Sequence, residues 1–169
     1  MNKEKVNSII NIFSFIPFSL VVFGILILGF FVAPVIFKEL TQRPVASEVM
    51  TLIFNRYYPF AFICTIITLL MESIRFLCFK KDLLNSKIWL VQISAIIVVT
   101  FMTGYSNLKI LPRINEMRET QKGPTLWVND EFVELHKQAE MLGKGMFTFG
   151  LIPLIIMVTT KKTSEVSIT

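Results

Sequence analysis

The sequence predicts an all-α integral membrane protein: a four-helix bundle with a short amphipathic helix between spans 1 and 2 and a protruding hairpin between spans 3 and 4. Three observations carry that prediction. Of 169 residues, 53% are hydrophobic and 17% charged, with a mean hydropathy of +0.63, whereas a soluble domain is about a quarter charged. The apolar residues, 16 phenylalanines among them, gather in four nearly uncharged stretches of roughly the 20 residues that cross a bilayer as helix. Lys and Arg fall in the gaps between those stretches, where they anchor topology. Hydrophobicity of this order excludes a disordered chain. The net charge of +5 comes with no aromatic-interleaved basic patch, so no nucleic-acid partner is expected.

The first span is expected over residues 12–37, after a polar start. It is longer than the ~7–15-residue apolar stretch of a signal peptide, and Ala33-Pro34 is a poor cleavage site, so a retained helix is predicted. Pro17 and Pro34 should bend it. Gly29 and Ala33 form a small-xxx-small face suited to close helix contact. Arg43-Pro44 reads as a helix start. From there Ala46, Val49, Met50, Ile53 and Phe54 recur at helical spacing, predicting a separate amphipathic helix over 44–55 on the membrane surface or capping the bundle.

The second span is expected over 58–79, followed by a charged turn with Lys80, Lys81, Asp82 and Lys87. The third covers 88–111, with Pro112 ending or kinking it. Gly123-Pro124 marks a turn in the polar stretch beyond. Asn129 is a candidate N-cap, with Asp130, Glu131 and Glu134 in the first turns, where the helix dipole favours acids. The helix it opens is about 30 residues, or ~45 Å, longer than the ~30 Å hydrocarbon layer. Its N-terminal half should therefore stand out of the membrane, with 142–159 spanning and a polar tail at 160–169. The whole, 1–169, reads as one membrane domain.

Four spans put both termini on one side. Lys3, Lys5, Arg75, Lys80, Lys81, Lys87, Lys161 and Lys162 crowd the short flanks there, while the other basic residues spread over long connections. Short flanks weigh most, so a multi-pass protein with both termini cytoplasmic is predicted.

Within the second span Tyr58, Ala61, Thr65, Thr68, Glu72 and Arg75 follow alternating steps of three and four, hence one helix face. The third span offers Gln92, Ala95, Thr100, Thr103, Ser106 and Asn107 on a broad face. Reflection through the charged turn sets Arg75 level with Gln92, and Thr65 and Thr68 beside Thr100 and Thr103. Polar groups in hydrocarbon need partners, and facing stripes can supply them. Glu72 is the sharpest candidate, because an ionisable group inside a span is a functional candidate by default. Arg75, one turn away, offers a structural ion pair instead.

His136 is the single histidine. On a helical wheel it falls with Phe132, Leu135, Ala139, Leu142, Gly143, Met146 and Gly150 on the apolar face. It is therefore expected either to bond a carbonyl or an amide such as Asn107 or Asn115, or to form a ligand site with Glu140. Bis-histidine haem would need two chains. Cys64 and Cys78 would lie about 21 Å apart along one helix, far beyond the ~7 Å disulfide limit. Hydrolase, P-loop, dinucleotide, zinc-protease and CxxC motifs are absent, and no internal repeat marks a transporter.

Three segments together resemble one family: Gly29-Phe-Phe-Val-Ala-Pro-Val-Ile-Phe37, Leu111-Pro-Arg-Ile-Asn115 and Phe132-Val-Glu-Leu-His136. In order and spacing the chain, over about residues 18–158, is similar to the small four-span membrane proteins of unknown function that include the transmembrane protein 205-like group. The resemblance implies the four-helix membrane fold. It carries no settled activity, though drug or metal tolerance is suggested for eukaryotic members. Lys137, Gln138, Glu140 and Lys144 stand where the pattern has small and amide residues, which favours a docking surface.

The expectation is thus a non-catalytic, non-enzymatic bundle without a cofactor or metal, partnered by the lipid bilayer. It would act as a homo-oligomer or as an accessory subunit beside other membrane proteins. Two alternatives stand: a redox or ligand-binding membrane protein for haem or quinone centred on His136, and a small exporter using Glu72 and the threonines.

Overall fold

A computed structural model describes residues 3–40, 42–84, 86–120 and 129–166. The chain is all-helical there. Helix α1 covers Lys3–Ile27 and passes through a π-helical segment, Leu28–Val32, into α2, Ala33–Glu39. Helix α3 runs Arg43–Leu84, and α4, Lys87–Tyr105, passes through a second π-helical segment, Ser106–Ile110, into α5, Leu111–Thr120. Helix α6 covers Asp130–Val166. Helix α1 packs on α3 and α6, and α4 packs on the same two, which closes a ring of four.

Four helices are long and apolar enough to cross a membrane, making this a multi-pass membrane chain. Its outer surface agrees: Leu77 is 79% exposed, Phe101 71% and Phe31 64%. Large apolar side chains left outward over a whole surface need lipid rather than water. The core between the helices is built from Phe18, Val21, Val22, Tyr58, Ile96, Val99, Met146 and Met157. Asn11 Nδ2 donates to the Met157 carbonyl at 3.4 Å, which sets the start of α1 beside the end of α6.

Several sequence expectations change. The amphipathic stretch 44–55 is not a separate helix but the first turns of α3, which starts at Arg43 as the Arg-Pro signal indicates. Pro59 lies inside α3 without stopping it. Ala46 and Met50 are buried as expected, and Val49, Ile53 and Phe54 are half-buried. Ser47, outside that apolar set, is buried as well and accepts a hydrogen bond from Arg118. Helix α3 kinks at Phe79 (φ −129°, ψ 28°), at the end of the apolar run. Beyond it the backbone of Lys80, Lys81 and Asp82 stays helical rather than forming a turn.

Pro112 does not end the third span, and the reason is the π-segment before it. Proline lacks an N–H, and its ring clashes with the carbonyl four residues back. A wider turn relieves that clash. Leu111 N–H bonds the Ser106 carbonyl five residues back, and the helix then continues to Thr120. The same device precedes Pro34, where Ala33 N–H bonds the Leu28 carbonyl. Gly29 makes no close helix contact within the chain: a methyl built on it meets nothing within 4 Å. Close approach occurs elsewhere, where Gly150 faces Val22 and Gly24 faces the Tyr57 ring.

Asn129 caps α6 as its residue type suggests, accepting from Glu131 N at 2.9 Å and Phe132 N at 3.2 Å. Helix α5 and the start of α6 share a small second core of Ile110, Ile114, Met117 and Phe132, with Arg113 bonded to Glu131 at 2.7 Å. The Gly123-Pro124 turn signal lies outside the described residues.

Candidate functional site

The bundle has two candidate regions, a polar cluster near one end and a cavity toward the other. The first, beside the chain start, centres on Glu72 and Arg75, which are 0% and 7% exposed. Arg75 Nη1 lies 3.0 Å from Oε1 and 3.1 Å from Oε2 of Glu72, aligned for a hydrogen bond only to Oε2, so Oε1 is held by charge alone. Two further residues complete the cluster, and neither stands out in the sequence. Trp89 Nε1 donates to Glu72 Oε2 at 3.2 Å, and Arg75 Nη2 donates to Asn11 Oδ1 at 3.0 Å. With the Asn11–Met157 bond, the cluster joins α1, α3, α4 and α6.

Thr65 and Thr103 meet at 3.4 Å across α3 and α4. Each threonine nevertheless satisfies its hydroxyl first on its own helix: Thr65 on the Phe62 carbonyl, Thr68 on Cys64, Thr100 on Ile96 and Thr103 on Val99. Gln92 is buried at 4%, but its Nε2 finds no acceptor; Arg75 turns to Asn11 instead. Tyr58 is buried at 4% against Phe54 and Tyr57. Asn107 is half-buried. Cys64 is buried and Cys78 exposed, both as free thiols.

The second region is a cavity of about 730 Å³ toward the opposite end. Its walls come from α1 and its π-segment, α2, the start of α3, the second π-segment with α5, and the first half of α6. The three segments that resemble a family converge here: Gly29 and Phe30 from the first, Leu111 and Ile114 from the second, Phe132 and His136 from the third. Both proline-linked π-turns also line it, through Gly29 and Ser106, and such turns recur at functional sites. Phe30 is 70% exposed and Phe37 43%, so the cavity reaches the outer face of the bundle beside α1.

His136 lines this cavity and is exposed, not enclosed within the packed apolar face. Its ring lies nearly parallel to Phe132, with centroids 6.4 Å apart. The candidate amide Asn115 is instead paired reciprocally with Asn55, at 2.9 and 3.3 Å. Glu140 also lines the cavity and is bonded to Lys144 at 2.6 Å. Glu72 is not among the lining residues. Among the described residues no three potential metal ligands converge.

Fold and site together define a small multi-pass helical membrane protein with a side-opening apolar chamber. Residues 18–123 match the family described as Domain of unknown function (DUF4149), and the chain belongs to that family. No curated protein and no solved structure matches the chain.

Proposed function

We propose that the protein is a non-catalytic binding bundle that takes an apolar small molecule from the bilayer into its chamber. The single observation that carries this is the chamber itself: about 730 Å³ walled by all four membrane helices. That volume lies within the usual range of small-molecule sites, ~300–1,000 Å³. The opening beside Phe30 supports entry from lipid rather than from water. The Glu72–Arg75–Asn11–Trp89 cluster then serves to fix the helices at the other end, not to move protons. The convergence of the three motif segments on the chamber supports kinship with the transmembrane protein 205-like group. The crowding of basic residues on the short flanks that share a side with the termini supports cytoplasmic termini. An accessory role beside larger membrane proteins suits a protein that binds without transforming its ligand.

The test is mass spectrometry of small molecules extracted from the purified protein, wild type against Gly29→Trp. Gly29 lines the chamber and a methyl there meets no atom within 4 Å, so an indole at that position has room at the chamber wall. Wild type should carry a stoichiometric apolar molecule that the variant lacks at unchanged melting temperature. Equal content in the two proteins, or none in wild type, contradicts the proposal.

A further inference from the structure

The chamber's polar groups allow the ligand's chemical class to be narrowed, on the premise that the chamber binds a molecule at all. Its charged lining side chains are Glu140 and Lys144, and these neutralise each other at 2.6 Å. Among the described lining residues an anionic headgroup such as a fatty-acid carboxylate would find no cation outside that ion pair, the neighbouring Arg118 being turned onto Ser47, and a cationic one no further carboxylate. Charge complementarity therefore selects a neutral head.

Of the buried hydroxyls that line the chamber, that of Ser47 is engaged by Arg118, which leaves those of Tyr58 and Ser106. Tyr58 is 4% exposed and Ser106 1%, and both line the cavity. They lie within reach of each other, so that one can donate to the other and one donor stays over, and Ser106 Oγ bonds no third group. A buried hydroxyl in that position costs free energy until an acceptor arrives. A carbonyl oxygen is the acceptor that a phenol and a serine hydroxyl can both address.

The remaining wall is unusually aromatic. Phe30, Phe54, Tyr58, Phe132, His136 and Phe147 all line the space, and Phe30 and Phe147 meet at 6.4 Å where it opens. Aromatic rings favour offset-stacked or edge-on contact with another flat ring. The lateral opening leaves room for an apolar tail to trail into lipid. We infer that the chamber binds a neutral, flat carbonyl-bearing ring carrying an apolar chain, the quinone class of membrane-dissolved molecules, with a ring carbonyl held by Tyr58 and Ser106.

The experiment uses the full chain in lipid nanodiscs and measures equilibrium binding of two probes, a benzoquinone with a decyl tail and palmitate. The quinone should bind saturably at one per chain, and palmitate at least tenfold more weakly. Tyr58→Phe and Ser106→Ala, with melting temperatures checked, should each weaken quinone binding by about tenfold, equivalent to ~1.4 kcal/mol, and Gly29→Trp should abolish it. Palmitate binding as tight as the quinone, or quinone binding indifferent to both hydroxyl variants, overturns the inference. A different apolar molecule recovered from wild type and lost in Gly29→Trp would overturn the quinone assignment and leave the binding function standing. Absence of any molecule from wild type would overturn both.

Discussion

Trp89 Nε1 donates to Glu72 Oε2 across 3.2 Å, while its indole stacks on Phe76 with centroids 5.4 Å apart and planes 14° from parallel. One side chain thus supplies both a hydrogen bond to a buried carboxylate and an apolar lid over the turn beside it. Arg75 neutralises the same carboxylate, and Asn11 holds Arg75 from α1. The pair is costly to bury and costlier to break, since removal of one member leaves the other charged in hydrocarbon.

Glu72→Leu should therefore destabilise the protein by about 3–5 kcal/mol, the usual range for breaking a buried pair. Glu72→Gln, which retains an acceptor for Trp89, should be clearly milder. Unfolding followed in detergent checks the order. Equal stability of both variants and wild type would show that the cluster does not hold the helices together.

Asn11 and Arg75 should be energetically coupled. A double-mutant cycle with Asn11→Ala and Arg75→Met is expected to give about 0.6–2 kcal/mol, the range for interhelical hydrogen bonds in membranes. A zero coupling would place Asn11 away from Arg75.

Sequence periodicity located Glu72, Arg75 and the threonine face because helical spacing fixes which residues share a side. It did not find Asn11 or Trp89, since a residue's cross-helix partner depends on where three other helices sit. Asn11 was visible only as the last polar residue before an apolar run. The chamber was still less legible. The wheel placed His136 on an apolar face, but nothing local says that this face borders a void rather than a packed neighbour. Pro112 misled for a related reason: the bond to Ser106 that carries the helix past it is a backbone adjustment without a side-chain signature. The Arg43-Pro44 start and the Asn129 cap were legible because capping is local chemistry.

Glycine positions separate packed from open surface. In Gly150→Ala the new methyl would lie 2.5 Å from Val22 Cγ2, and overpacking of that kind costs about 1–3 kcal/mol. Gly29→Ala meets no atom within 4 Å and should be neutral or stabilising by up to ~1 kcal/mol through helix propensity. Melting temperatures of the two variants check the contrast, and a larger loss at Gly29 would contradict it.

The reciprocal amides of Asn55 and Asn115, at 2.9 and 3.3 Å, fix α5 against the first turns of α3. Asn55→Cys with Asn115→Cys should cross-link efficiently with a short bifunctional thiol reagent, and much more than Asn55→Cys with Glu116→Cys. Equal yields would mean that the third helix does not continue through Pro112 in the register described.

The proposed function requires that the four helices enclose a chamber occupied from the lipid. A density map of the wild-type protein in lipid nanodiscs tests it most directly. An elongated non-protein feature is expected between Phe54, Phe132 and Phe147, reaching outward past Phe30. Helices closed on one another there, with Gly29 packed against α6 and no such feature, would contradict it.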